Sequence, residues 1–465
     1  MVSPRRLDPI DALSPKTRVR ILLSVVAVLL FVCPPFSESP IATAFMAADP
    51  GVRGGPAGAG DPLPNLTKAE LKFFKSGSEA FNEVEGVGDG LGPRFNMDSC
   101  AGCHAQPAVG GTSPFGNPQF TVSGPPNVVP FFITPNGPVR EARFKFKPDG
   151  TRDGGVHDLF TITGRSDAPG CSILQPDFVT AANNNNLIFR IPTPVFGAGL
   201  IENIPDNVIL ANMAAEKAAK VSMGIIGHPN RHGPGRVTTS GTPNMSGNDG
   251  SITRFGWKAQ NKSLLMFSGE AYNVEMGVTN ELFPQERDET PSCLFNPLPE
   301  DTTKFDAGVI TDVPSDAEKF AFFMRMLAPP TPAPGTPSIV RGRSLFNQVG
   351  CTLCHTPILT TGTTAIAALS NKQVDLFSDL LLHQMGKGLA DGIVQGNAGP
   401  AEFRTAPLWG LGQRIFFLHD GRTADLLEAI GQHQSPGSEA NNVIRIFNGL
   451  PQTQKQHILN FLRSL

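Results

Sequence analysis

Residues 97–106 read "MDSCAGCHAQ", and residues 350–357 read "GCTLCHTP". In each, two cysteines stand three apart and a histidine follows at once: Cys100, Cys103 and His104, then Cys351, Cys354 and His355. Three chemistries use such a spacing. Each pair is half of a tetrahedral zinc site, a redox dithiol, or an anchor for haem c. A thioredoxin-like dithiol needs a strand before it and a helix after it, and "GPRFN" before Cys100 is no strand. Haem attachment explains more. Cysteines three apart form thioethers to two vinyl groups, and the adjacent histidine meets the iron from the same side. The expectation is two covalently bound haem c groups, with His104 and His355 as proximal ligands. Zinc half-sites are the competing reading.

Elements must hold these motifs in place. "GSEAFN" (77–82) precedes the first motif and "GRSLFN" (342–347) the second, so Gly-x-x-x-Phe-Asn recurs in the same local setting. The pattern turns helical over 68–84, and "DAEKFAFFMRML" (316–327) reads as an amphipathic helix. Between them, 118–200 reads as strands and loops, with "NVVPFFIT" and "VREARFKF" flanking a turn signal at Asn136-Gly137. "APPTPAPGTPS" (328–338) is a stiff linker and the best domain boundary. These readings predict a mainly α chain with two cytochrome c-like haem domains. The first spans 65–327 and holds a large β/loop-rich insertion at about 118–250; the second spans 339–465.

Composition narrows the class. The 465 residues allow two or three domains. Only 17% are charged, the net charge is −3, and 49 Gly and 43 Pro argue for long ordered loops. No basic run lies beyond the N-terminus, so nucleic acid is not an expected partner. Arg5, Arg6, Lys16, Arg18 and Arg20 precede an apolar run, Ile21 to Val32, with small residues at Ala42-Thr43-Ala44. Residues 1–44 read as a signal peptide, with export to the periplasm and a mature protein that is not membrane-embedded. A retained anchor and a lipoprotein Cys33 are the alternatives. Residues 45–64 read as a flexible lead-in. Setting aside Cys33 and the motif cysteines leaves Cys171 and Cys293, expected as a disulfide in an oxidising compartment or else as two buried thiols.

Three stretches carry a family resemblance: "GLGPRFNMDSCAGCHAQPAVGG", "RFGWKAQNKSLLMFSGEAYNVEMGVTNELFP" and "EFRTAPLWGLGQRIFFLHDGRTADLLEAIGQHQ". From about residue 65 to the end, the chain resembles the dihaem oxidoreductases often called thiol oxidoreductases. More distantly it resembles bacterial dihaem cytochrome c peroxidases and MauG-type enzymes. The resemblance implies two facing haems, one passing electrons and one reacting with peroxide. The relatives have Trp-Asp-Gly-Arg-Ala, then Leu, then Asn-Pro-Val-Glu-Met-Gly. Here Trp257, Leu264 and "NVEMG" (273–277) match, while Asp-Gly-Arg is missing and the spacing is shorter. This nominates Trp257 as a relay and Glu275 as the acid–base group; a core Trp and a surface Glu are the plain alternatives.

Fourteen residues after His419 in "FLHDGRTADLLEAIGQHQ" stands His433. Peroxidases have a ligating Met at that distance and MauG-type enzymes a Tyr. The match makes His433 the distal ligand of the Cys351/Cys354 haem, on a helix read over "TADLLEAIGQH". His419 becomes a contact near that haem. The plain alternative is a solvated His433 near a helix end. For the first haem no distal ligand can be named. His157, His228, His232 and Met245 sit in strands or Gly/Pro loops, and about 150 residues separate His104 from Trp257.

The expected function is electron movement between a small redox protein and a substrate at the first haem, most concretely the reduction of hydrogen peroxide. A pure electron-transfer cytochrome is the alternative. Thiol oxidation ranks lower, because no cysteine outside the motifs looks reactive.

Overall fold

The computed structural model describes residues 45–231 and 249–465. The signal-peptide reading of 1–44, Cys33, His232 and Met245 lie outside the described residues. Residues 45–465 form one compact unit. Among the described residues helical residues outnumber strand residues and no sheet exceeds three strands. No helix there is long and apolar enough to cross a membrane.

Six helices position the two motifs: α1 (Lys68–Asn82), α2 (Leu264–Met276), α3 (Asp316–Met326), α4 (Pro337–Val349), α5 (Leu426–Gly431) and α6 (Gln452–Leu462). α1 starts at a capping box, Thr67 with Glu70. α4 starts at Thr336 with Pro337 in its first turn and ends at Gly350, φ 97°. α1 packs on α3, and α4 packs on α6.

The repeated Gly-x-x-x-Phe-Asn explains both pairs. A Cβ on Gly77 would collide with the Lys319 carbonyl of α3, and one on Gly342 with the His457 carbonyl of α6. Glycine therefore lets each helix pair approach closely. Four residues on, Phe81 packs against His104 (ring centroids 5.9 Å) and Phe346 against His355 (6.1 Å).

The insertion is loop-rich more than β-rich. Its sheet has three strands, β1 (Glu141–Phe144), β2 (Val156–His157) and β3 (Leu187–Arg190), in the order β2-β1-β3. Helices at Phe178–Asn183, Ala198–Glu202, Asp206–Ala214 and Lys217–Met223 fill much of the rest. No hairpin forms across Asn136-Gly137; β1 pairs instead with β2 and β3. Pro130 denies the first run an N–H donor that a ladder needs, and its Phe132 and Ile133 go into the core instead.

Residues 45–64, composed like a flexible lead-in, are tied down. Asp49 is buried against Arg463 at 2.6 Å, and the Ala47 N–H donates to Gln452. Two hydrophobic clusters form the interior. The larger also takes Leu359, Leu369, Val374 and Leu381 from beyond the Pro-rich linker, so the core crosses the boundary that the linker suggests. A Cys171–Cys293 disulfide ties the insertion to the segment after α2.

Candidate functional site

Cys100 to Cys103 make a single helical turn after Ser99, and the His104 N–H donates to the Cys100 carbonyl at 3.0 Å. The His104 Nδ1 lies 2.9 Å from the Gly111 carbonyl. A carbonyl only accepts, so Nδ1 carries the proton and Nε2 remains as a lone-pair donor. Burial lowers the His104 pKa and keeps the ring neutral. Burial also pushes the Cys100 thiol up to about 12 and Cys103 well above its usual range. As free thiols these would be poor nucleophiles.

The second motif repeats the arrangement. Cys351 to Leu353 form a tight turn, and the His355 N–H donates to the Cys351 carbonyl at 2.9 Å. The His355 Nδ1 donates to the Phe377 carbonyl at 3.0 Å, and burial with nearby His433 lowers its pKa to about 4. The zinc reading needs the two cysteine pairs to converge. Among the described residues no three His, Cys, Asp or Glu gather to hold a metal ion.

Each motif opens on its own cavity. The first encloses about 1680 Å³ of atom-free space, mouth included, and the second about 1330 Å³. His433 lines the second cavity with His355, two residues beyond the end of α5. Its Nδ1 donates to the Ala429 carbonyl at 2.9 Å, again leaving Nε2 as donor. His419 lines the same cavity, stacked on Phe403 at 4.3 Å with the Trp257 edge at 6.4 Å. Trp257 lines both cavities, and its Nε1–H donates to the Ile191 carbonyl at 2.8 Å.

Glu275 lines the first cavity. It sits in the last turn of α2, whose end is drawn onto the segment before Cys100. The Asn96 N–H donates to the Glu275 carbonyl at 2.7 Å, and Asn96 Nδ2 donates to its Oε2 at 3.0 Å. Gly277 caps the helix at φ 80°, where a Cβ would strike the carbonyls of Gly92 and Arg94. Burial, then Glu141 beside it, pushes the Glu275 carboxyl well above the carboxylate range. The other candidates lie elsewhere. His157 pairs with Asp153 at 2.8 Å and stacks on Phe144, and His228 pairs with Glu402 at 2.9 Å; neither lines the first cavity.

A family model described as "Di-haem oxidoreductase, putative peroxidase" matches residues 145–465. The chain belongs to this di-haem oxidoreductase family. The matched range holds the second motif, Trp257, Glu275, His419 and His433; the first motif and β1 precede it. No curated protein matches.

Three solved structures are similar. Hydrazine synthase of Kuenenia stuttgartiensis is 19% identical over 34% of this chain and 56% of its own, TM-score 0.22. The diheme peroxidase BthA of Burkholderia thailandensis E264 is 16% identical over 46% and 65%, TM-score 0.27. A MauG-like protein associated with microbial copper homeostasis is 15% identical over 59% and 89%, TM-score 0.27. The chain thus spans less than two thirds of the first two.

Buried charge tests whether the oxidoreductase's cavities fit haem. Arg404 and Arg414 both line the second cavity and are buried, and neither has an ion-pair partner among the described residues. Among the described residues the Arg404 guanidinium donates to the Gly256 and Thr405 carbonyls. Burial lowers each guanidinium to about 10. Two unpaired buried cations beside a cavity are costly unless an anion joins them, and haem carries two carboxylates. In the first cavity Arg140 and Arg190 each leave a buried Nε without a partner. Arg190 already pairs with Asp391, but Arg140 at the first cavity, Arg404 and Arg414 at the second, and the histidine Nε2 donors in both fit the group.

Several site residues escape a sequence reading. His383, in β4 (Leu382–Gln384), which pairs with β5 (Glu402–Arg404), lines the second cavity. It bridges Asp379 at 2.9 Å and Glu439 at 2.8 Å, and its Nδ1 is 3.7 Å from Cys354 Sγ. Against burial, Asp379 first of all holds its pKa well above the usual value, as an imidazolium. Its partners lie 4 residues before it and 56 after, with no local signal. Glu141, Arg143 and Arg190 line the first cavity. Only the alternation in "REARF" hints that Glu141 and Arg143 share a face.

Proposed function

We propose that the chain is an exported dihaem c-type enzyme that reduces hydrogen peroxide at the first cavity with electrons received at the second. One observation carries the reading: each motif has its own cavity, and Trp257 stands in the wall of both. Cys100 and Cys103, and Cys351 and Cys354, would hold two haems by thioethers in two cytochrome c-like halves. His104 and His355 would each offer Nε2 to an iron, and His433 would offer its Nε2 at the second site. Haem supplies a redox-active iron at each site when bound.

The protein's own groups do the rest. Arg404 and Arg414 neutralise carboxylates at the second site. The Trp257 indole is the stepping stone for an electron between the cavities, and its Nε1–H stays on the Ile191 carbonyl, which cannot take the proton. Glu275 holds a proton at the first cavity, where a peroxide oxygen needs one. A small redox protein supplies electrons. Thiol oxidation is disfavoured: among the described residues every cysteine is in a motif or in the disulfide.

The test is a titration of fully reduced protein with peroxide. One equivalent should oxidise both haems, and Trp257→Phe should slow oxidation of the second haem far more than the first. Reduced haems that persist in peroxide contradict the reading. Equal slowing of both haems reduces Trp257 to packing.

A further inference from the structure

The insertion's sheet brings a second carboxyl to the first cavity. β1 and β3 pair with Glu141 opposite Arg190, and Arg143 lies two residues on, on the face of Glu141. Arg143 Nε is ion-paired with Glu141 Oε1, and Arg190 is tied to Asp391 Oδ2 at 2.7 Å. Glu141, Arg143 and Arg190 all line the cavity, as Glu275 does.

Glu141 and Glu275 line the same buried cavity, their carboxyls close enough to share a hydrogen bond. Two carboxylates only accept, so this bond requires a proton, and two carboxyls in contact at a buried site do not both ionise. Every neighbouring element bears on where the proton sits. Arg143 and Arg190 face Glu141 from the sheet. Asp158, with its partner Arg287, faces Glu275 from the segment after β2. Glu270 of α2 faces Arg143, and Asn96 donates to Glu275 from the segment before Cys100. Arg143 is ion-paired with Glu141 itself and Arg190 stands opposite it, whereas Glu275 has no ion-pair partner among the described residues, so Glu141 is the ionised member and Glu275 the acid.

We propose that Glu141 and Glu275 act as a one-proton pair at the peroxide site, Glu275 exchanging the proton with the substrate and Glu141 storing it. This rests on the peroxide reading. A peroxide O–H gives its proton to Glu275 as Glu275 passes its own to Glu141. Two electrons from the redox partner break the O–O bond, and the stored proton returns through Glu275 to the leaving oxygen, which departs as water. Two solvent protons complete the second water. One peroxide, two electrons and two protons thus give two waters, and the pair ends as it began.

Infrared difference spectroscopy of the haem-loaded protein tests the pair without turnover. In the difference between the wild-type and Glu275→Gln spectra at neutral pH, one protonated-carboxyl C=O stretch, sensitive to D2O, should be lost. In Glu141→Gln its titration midpoint should fall by about one pH unit or more, and peroxide turnover by about 100-fold or more, with the visible haem spectrum unchanged. If the lone Arg143 charge keeps that variant from folding, Glu141→Gln with Arg143→Gln removes both charges. No carboxyl band lost in Glu275→Gln, or a titration of that band unmoved by loss of Glu141, overturns the pair. Peroxide turnover with an unmoved titration overturns the pair alone. An intact pair in a protein that leaves peroxide untouched overturns the peroxide reading, and with it the pair's task.

Discussion

His104, His355 and His433 each give their Nδ1 proton to a backbone carbonyl. That bond fixes the tautomer and leaves Nε2 as the donor, as a ligating imidazole requires. The carbonyls belong to Gly111, Phe377 and Ala429, so the ring orientations are set by three different local folds. His433→Ala should therefore turn the second haem from low-spin to high-spin and raise its peroxide or cyanide access, read by optical and electron paramagnetic resonance spectra. An unchanged low-spin spectrum would mean that His433 does not ligate. At this scale the sequence is most legible where chemistry demands close spacing. The two Cys-x-x-Cys-His motifs are local, and His433 is reached by counting from His419. His383, Arg404, Arg414 and Glu141 are not legible, because their meaning lies in partners or cavities that only the fold creates.

The two helix crossings, α1 on α3 and α4 on α6, share one construction: glycine at the close approach and phenylalanine four residues on, beneath the motif histidine. The repeat is visible in the sequence, but its reason is a distant carbonyl on another helix. Gly342→Ala should destabilise the protein by about 1–3 kcal/mol, the usual cost of overpacking, measured by denaturant unfolding. No loss of stability would mean that α4 and α6 can separate freely.

A second element-level prediction concerns Glu85, just beyond α1, which accepts from the Tyr272 hydroxyl of α2 at 2.9 Å. Burial pushes its carboxyl from 4.5 up to about 7. Between those values the folded chain holds a proton that the unfolded chain has lost, so this group's contribution to stability falls as pH rises. Glu85→Gln should flatten the decline of the thermal midpoint over that window. An unaltered slope would assign the decline to other carboxyls. Of the two runs flanking the Asn136-Gly137 turn signal, only the second supplies a strand, because Pro130 interrupts the ladder of the first.

Residues 45–465 are one body in which the core crosses the Pro-rich linker, the lead-in is pinned by Asp49 to Arg463, and a disulfide fastens the insertion. The helices over 68–82 and 316–326 and the two Cys-x-x-Cys-His motifs are readable from pattern. The interlocking is not, since Leu359 to Leu381 look like any apolar stretch until they are placed. What the whole molecule adds is adjacency: two cavities, one shared indole wall, and a charged sheet from the insertion over the first. The central claim is that these cavities hold unlike haems, the second closed by two histidines and the first open to substrate. The most direct measurement is the electron paramagnetic resonance and optical spectrum of the protein before and after cyanide, in the oxidised and half-reduced states. The account predicts one low-spin signal that cyanide leaves alone and one haem whose spectrum cyanide shifts. Two low-spin haems, both indifferent to cyanide in either state, would contradict it and make the protein an electron carrier only.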